Sequence, residues 1–172
     1  MMIDIPEGVT VNVSEGAVKI SGRLGSNVRA YDSNLLSISV QGRKLSVEAI
    51  ATGKRKKVAD NSVASFAKEL SNDINGVCNY YEKNLVTVFA HFPITIEEKN
   101  STVYIKNLFG ERSARTVKLI GNTKIEIKGQ KLRLYGTSKD DVSQTAARLI
   151  NKCRMPHKDT RVFQDGIYFE IE

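Results

Sequence analysis

The chain has little of what catalysis and metal binding usually need. Among its 172 residues there are two histidines, His91 and His157, and two cysteines, Cys78 and Cys153. Neither histidine has Cys, Asp or Glu partners at metal-ligand spacing, so the sequence offers no metal motif. His91, in the stretch AHFP, reads as a packing or hydrogen-bonding residue rather than a catalytic one. Two cysteines cannot build a disulfide framework. Both fall at apolar helical or helix-flanking positions, which predicts reduced thiols in a cytoplasmic protein and places Cys153 in a core. No apolar run approaches the roughly 20 residues that cross a bilayer. The start, MMIDIPEGVTV, lacks a basic segment followed by an apolar one, so no secretory signal is expected. The adjacent Asp140 and Asp141 sit at a predicted helix start, where carboxylates favour the dipole, and are not read as a catalytic pair. GKRKK (53–57) lacks the first glycine of a phosphate-binding loop and the Ser or Thr after its lysine. GRLG (22–25) matches the spacing of an RNA-clamping loop that joins two helices, but strands flank it here. No catalytic residue, metal or cofactor is predicted.

What the chain does have is positive charge and self-similarity. With 26 Lys and Arg against 19 Asp and Glu, it carries a net charge of +7. Residues 1–84 hold 11 basic and 9 acidic residues, and residues 85–172 hold 15 and 10, so the excess lies in the second half. A basic domain of this kind is either simply soluble or shaped for an anionic polymer.

Val9, Val11, Val18, Ile20, Leu24 and Gly25 match Ile94, Ile96, Val103, Ile105, Phe109 and Gly110 at a constant offset of 85. ISVQGRKLSV (38–47) matches IEIKGQKLRL (125–134) at an offset of 87. Two copies make a duplication rather than a solenoid. In each, the alternating segments VTVNV and ITIEE predict half-buried strands, paired with AVKIS and TVYIK across short turns. Further strands are expected at 35–40, 44–50, 124–128 and 131–135, with QGRK and KGQK as hairpin turns. Each copy then has one helix. The first carries Val63, Phe66, Ala67, Leu70, Ile74 and Val77 at helical spacing, with Gly76 as its C-cap. The second carries Val142, Ala146, Leu149, Ile150 and Cys153, with Ser138 as N-cap and Asp141 as its acidic third residue. A last strand leaves each helix, at 85–90 and 167–171. The expected fold is α+β: two tandem domains, 1–84 and 85–172, each an antiparallel sheet packed on one helix. With 41% hydrophobic residues the chain can bury such cores.

The densest basic segment runs from Arg148 through Lys152, Arg154 and Lys158 to Arg161, with Asp159 the only acid. Arg148 and Lys152, four apart, share one helix face. The helix dipole accounts for Lys152 or Arg154 but not for the continuation into the loop. A second patch, Lys54, Arg55, Lys56 and Lys57, is placed just before the first helix, where it opposes the dipole. It is either a solvated loop or a secondary contact with RNA or another partner.

NLFGERSAR (107–115), GTSKDDVSQTAARLINKCR (136–154) and KDTRVFQDGIYF (158–169), with IPEGV (5–9) and VFAHFPITI (88–96), resemble the ribosomal protein L-six family in its archaeal and eukaryotic form. The resemblance covers essentially the whole chain, duplication included. It implies a structural, non-enzymatic constituent of the large ribosomal subunit, cytoplasmic, with no membrane or small-molecule partner. It further implies large-subunit rRNA as the partner, bound mainly by the C-terminal domain near the sarcin–ricin loop, with ribosomal proteins and translational GTPases as neighbours. By position the implied contacts are Lys152, Arg154, Lys158, Arg161 and Gln164, with Gly166 and Tyr168 setting the turn into the last strand; Arg148 joins them from the charge pattern. Arg161 suits a phosphate and Gln164 a 2′-hydroxyl, while Phe163 is expected to pack on the core. The chain departs from the family at Ala67, where an Arg usually follows the matched Phe66, and Glu69 and Asp73 make that helix more acidic. A protein–protein adaptor remains the alternative class.

Overall fold

The structure, a computed structural model, describes residues 1–50, 56–155, 158–159 and 161–170. The chain forms two compact units, Met1–Tyr80 and Tyr81–Glu172.

In the first unit β2 (Thr10–Ser14), β3 (Ala17–Gly22) and β4 (Gly25–Ala30) form one antiparallel sheet in the order β2-β3-β4. A second sheet has the order β1-β6-β5, from β1 (Met2–Asp4), β5 (Leu36–Gln41) and β6 (Lys44–Ala49). Both sheets pack on α1 (Lys56–Cys78). Alternation does the sorting: Val18 and Ile20 of β3 and Leu45 and Val47 of β6 are buried, and they meet Phe66, Leu70, Ile74 and Val77 of α1.

The second unit repeats the plan. β8 (Thr95–Lys99), β9 (Thr102–Lys106) and β10 (Arg115–Lys118) form a sheet in the order β10-β9-β8. The other sheet has four strands in the order β11-β12-β7-β13, from β7 (Tyr81–Val88), β11 (Lys124–Lys128), β12 (Lys131–Gly136) and β13 (Gly166–Phe169). The helix α2 (Lys139–Cys153) closes the core on Val103, Ile105, Leu132 and Leu134 with Val142, Ala146, Leu149 and Cys153. The α+β duplication expected from the sequence is therefore what the chain forms. The two-residue hairpin turns also match: Gly42 and Gly129 have φ of 62° and 61°, a left-handed conformation that costs glycine nothing.

Four expectations need correction. The strand leaving the first helix does not close the first copy. It is β7, paired with β12 and β13 in the second unit, and it corresponds to β1 of the first. A division after residue 84 would cut β7, whereas the units part between Tyr80 and Tyr81. Gly76 is no C-cap: it lies buried inside α1, which runs on to Cys78. Lys56 and Lys57 do not precede the helix but begin it, both exposed; Lys54 and Arg55 lie outside the described residues. The short strands β1, β4 and β10 are additions that the sequence pattern did not reveal.

In the GRLG turn, a Cβ on Gly22 would stand 2.8 Å from Cγ2 of Val77, so the end of α1 sits directly on this backbone. Leu24 N–H donates to the Val77 carbonyl at 3.2 Å, which fixes the same approach. Acidic residues of α1 are engaged as well. Arg29 of β4 donates to buried Asp73 at 2.6 and 3.1 Å and to Glu69 at 3.0 Å. The acidic Glu69 and Asp73 therefore tie α1 to its own sheet.

Candidate nucleic-acid interface

The basic residues of the second unit come from β10, from α2 and from the loop between α2 and β13. The helix orients its share. The Ser138 hydroxyl accepts the Asp141 N–H at 3.3 Å, and Asp140 and Asp141 occupy the positive first turn, as the capping pattern predicts. With Val142, Ala146, Leu149 and Cys153 buried, Arg148 and Lys152 are turned to solvent. They line one shallow groove together with Thr116, Val117, Lys118 and Asn151. Lys118 was missed by the sequence reading. Its signal is the alternation in RTVK, where Val117 is buried and its two neighbours point out; only the pairing of β10 with β9 brings it beside α2.

Arg115, the first residue of β10, holds the end of α2. Its guanidinium donates to the carbonyls of Lys152 at 2.7 Å and Arg154 at 3.1 Å, and its Nε donates to Glu111 Oε2 at 2.8 Å. It also lies 5.9 Å from the Phe109 ring centroid. The hydrogen bond from Arg115 holds the Glu111 carboxyl below the ordinary glutamate range, against the opposing effect of burial. Burial pushes the nearby Cys153 thiol up to about 11, so it is neutral at pH 7 and belongs to the core.

Arg154 is the C-cap of α2, its N–H donating to the Asn151 carbonyl at 3.3 Å. Beyond it, Asp159 organises the loop. Its Oδ1 accepts the Arg161 N–H at 2.9 Å, and its carbonyl accepts from Val162 at 3.1 Å and Phe163 at 2.9 Å. This turn carries Arg161 outward, with its side chain 92% exposed. The Gln164 amide folds back to donate to the Arg161 carbonyl at 3.1 Å, so it braces the turn. Asp165 accepts the Ala90 N–H at 2.9 Å, which anchors the loop beside β7 and fits its reading as a turn former. Gly166 is buried at the start of β13, where a Cβ would lie 3.5 Å from the Tyr168 ring. The expectation that Phe163 packs on the core is not met: it is 42% exposed and lies outside the core cluster, with Lys158 Nζ 5.3 Å from its ring centroid.

Several other cations of the unit are paired, although Lys83, Arg112, Lys124 and Lys139 also have no carboxylate within ion-pair distance among the described residues, so what distinguishes the group on α2, β10 and the loop is its clustering. Arg133 pairs with Glu82 and Glu126, Lys131 with Glu170, and Lys106 with Glu97. Among the described residues, Lys118, Arg148, Lys152, Arg154 and Lys158 have no carboxylate within ion-pair distance. Five cations left without counter-charges on one helix and its flanks form a field that an external anion can neutralise. Lys56 and Lys57 belong to the first unit. No group of three or more potential metal ligands occurs among the described residues, and no described helix is long and apolar enough to cross a membrane.

Fold and surface together define a class: a duplicated α+β protein with a basic side on its second unit. No protein-family model matches the chain. It is 40% identical over 167 residues to the large ribosomal subunit protein uL6 of Methanocella arvoryzae, covering 96% of this chain and 93% of that one. It is 39% identical over 171 residues to uL6 of Staphylothermus marinus (96% and 90%) and 36% identical over 166 residues to uL6 of Methanosarcina mazei (96% and 93%). The chain belongs to the large ribosomal subunit protein uL6 family.

Proposed function

We propose that the protein is a structural constituent of the large subunit of the cytoplasmic ribosome and binds large-subunit rRNA mainly through its second unit. The observation that carries the rRNA reading is the cluster of cations without carboxylate partners on α2, β10 and the following loop. Such side chains release condensed counterions when they meet phosphates, which gives affinity with little dependence on sequence. Arg154 and Arg161 can chelate phosphate oxygens through two parallel N–H groups, while Lys118, Lys152 and Lys158 act as point charges. The surface also suits the neighbourhood implied by the family resemblance, beside the sarcin–ricin loop and the region where translational GTPases dock. Other proteins of the subunit are its remaining neighbours. Gln164 enters this reading as a brace for the Arg161 turn rather than as a reader of 2′-hydroxyls.

The test compares cations that have carboxylate partners with those that do not. Replacing Arg148, Lys152 or Arg154 singly by Ala is expected to weaken binding to large-subunit rRNA and to make its dependence on log salt shallower by about one unit each. Replacing Arg133, whose charge Glu82 and Glu126 already balance, is expected to leave that slope unchanged. Equal slopes for both sets would exclude the cluster as the phosphate-binding face. An adaptor that meets only protein would instead show no salt-sensitive RNA binding at all.

A further inference from the structure

Beside the C-terminal end of α2, Phe163 and Tyr168 wall a cavity of about 150 Å³ floored by Ile150, Cys153 and Ile167. Its floor is apolar and largely buried: Cys153 and Ile167 are at 2% and 1% exposure, and the thiol is neutral. Its walls are not. Phe163 is 42% and Tyr168 39% exposed, and both lie outside the core cluster of the unit. An engineered protein cavity of about the same volume takes one benzene-sized ring, so this one is too small for an ordinary cofactor and large enough for a single planar group.

Charge limits what that group can be. Arg154 and Lys158 line the same cavity, Lys158 Nζ lying 5.3 Å from the Phe163 ring centroid. The carboxylate that also lines it, Asp165, is turned to the Ala90 N–H. An apolar slot with cations at its mouth suits a flat ring tethered to an anionic chain. We propose that the cavity receives one unpaired nucleobase of the bound RNA, stacked on Phe163 and Tyr168 while Arg154 and Lys158 take the adjoining phosphates. The inference rests on the RNA-binding reading above and adds to it a specific anchoring point. Stacking on aromatic side chains tolerates any base, because every base has a π-face.

Stacking and phosphate contact differ in salt dependence, which makes the proposal testable on the full chain. Phe163→Leu and Tyr168→Leu are expected to weaken binding to a large-subunit rRNA transcript by roughly 10-fold at every salt concentration, with the slope against log salt unchanged. Phe163→Tyr, which keeps a ring, is expected to bind like the wild type. One nucleotide should lose reactivity toward base-modifying reagents in the wild-type complex and regain it with Phe163→Leu. Folded Leu variants that bind as tightly as the wild type would overturn the proposal, including the case where they lose only a ribosomal-protein partner. A loss of affinity that tracks lower thermal stability and is not rescued by Phe163→Tyr would overturn it too, as a purely structural effect. If the wild-type protein shows no salt-sensitive RNA binding, the underlying reading fails and this inference falls with it.

Discussion

Arg115→Ala is the sharpest probe of how the second unit holds its basic face. The side chain is 18% exposed and makes three polar interactions at once: the Lys152 carbonyl, the Arg154 carbonyl and the Glu111 carboxylate. A hydrogen bond to a charged group contributes about 1.5–3 kcal/mol net when largely shielded from water. Glu111 is 33% exposed, so water replaces part of its lost pairing, and the three interactions share one guanidinium and do not add fully. A net loss of about 3 kcal/mol follows, which for a unit of this size lowers Tm by roughly 15 °C. Scanning calorimetry should show that shift in the second unit's transition while the first unit's stays in place. Hydrogen exchange should quicken in the last turn of α2, where the two carbonyls lose their donor. Arg115→Lys keeps the charge but not the planar fork, and is expected to recover no more than about half. A Tm within about 2 °C of the wild type for Arg115→Ala, with unchanged exchange, would show that this clamp contributes no stability.

Acidification should weaken the same clamp. The folded-state value of Glu111 lies below its ordinary 4.5, so the pair contributes fully above that value and is lost as pH falls through the lowered one. Thermal unfolding across pH 3–6 should therefore show a decline below about pH 4.5 that Glu111→Gln flattens. In the first unit, Gly22→Ala forces a methyl to within 2.8–3.0 Å of the Val77 side chain and carbonyl, and a loss of about 1–3 kcal/mol in denaturant unfolding is expected. A fragment beginning at Tyr81 should retain most of the RNA affinity in filter-binding titrations. One beginning at Leu85 lacks the part of β7 that pairs with Arg133–Gly136 and should be measurably less stable.

Strands with strict alternation and two-residue glycine turns were legible because each residue's own chemistry decides its face. Lys124–Lys128 and Thr102–Lys106 are read at their true limits for that reason. Strands with little apolar content were not: GSNVRA of β4 holds a single large apolar residue, Val28, and that one is exposed. The assignment of β7 was illegible for another reason. Its pattern predicts a strand, but its partners, β12 and β13, are chosen by long-range pairing. The site divides in the same way. Arg148 and Lys152 were visible through helical spacing, whereas Lys118 joins them only through the packing of β10 on α2. Phe163 was misjudged because an aromatic residue before a strand usually packs inward. Here the Asp159-centred turn and the Asp165 anchor fix the loop first and leave the ring outside.

The two copies have diverged in what their charges do. In the first, Glu69 and Asp73 of α1 meet Arg29 on the neighbouring sheet, so charge on the helix is paired with charge on the sheet. In the second, α2 keeps its acids in the first turn, and Arg148 and Lys152 toward its other end have no carboxylate within ion-pair distance among the described residues. The second copy also has a strand with no counterpart in the first, β13, and the loop that must reach it carries Lys158 and Arg161. Adding β13 to the free edge of β7 ties that loop to the sheet at both its ends, through Arg154 on α2 and Asp165 beside Ala90. A basic loop tethered in this way loses less conformational entropy on meeting phosphate than a flexible tail would, so more of its electrostatic attraction remains as affinity. On the proposed reading, the duplication supplied two similar scaffolds, and the extra strand on the second fitted it to hold RNA.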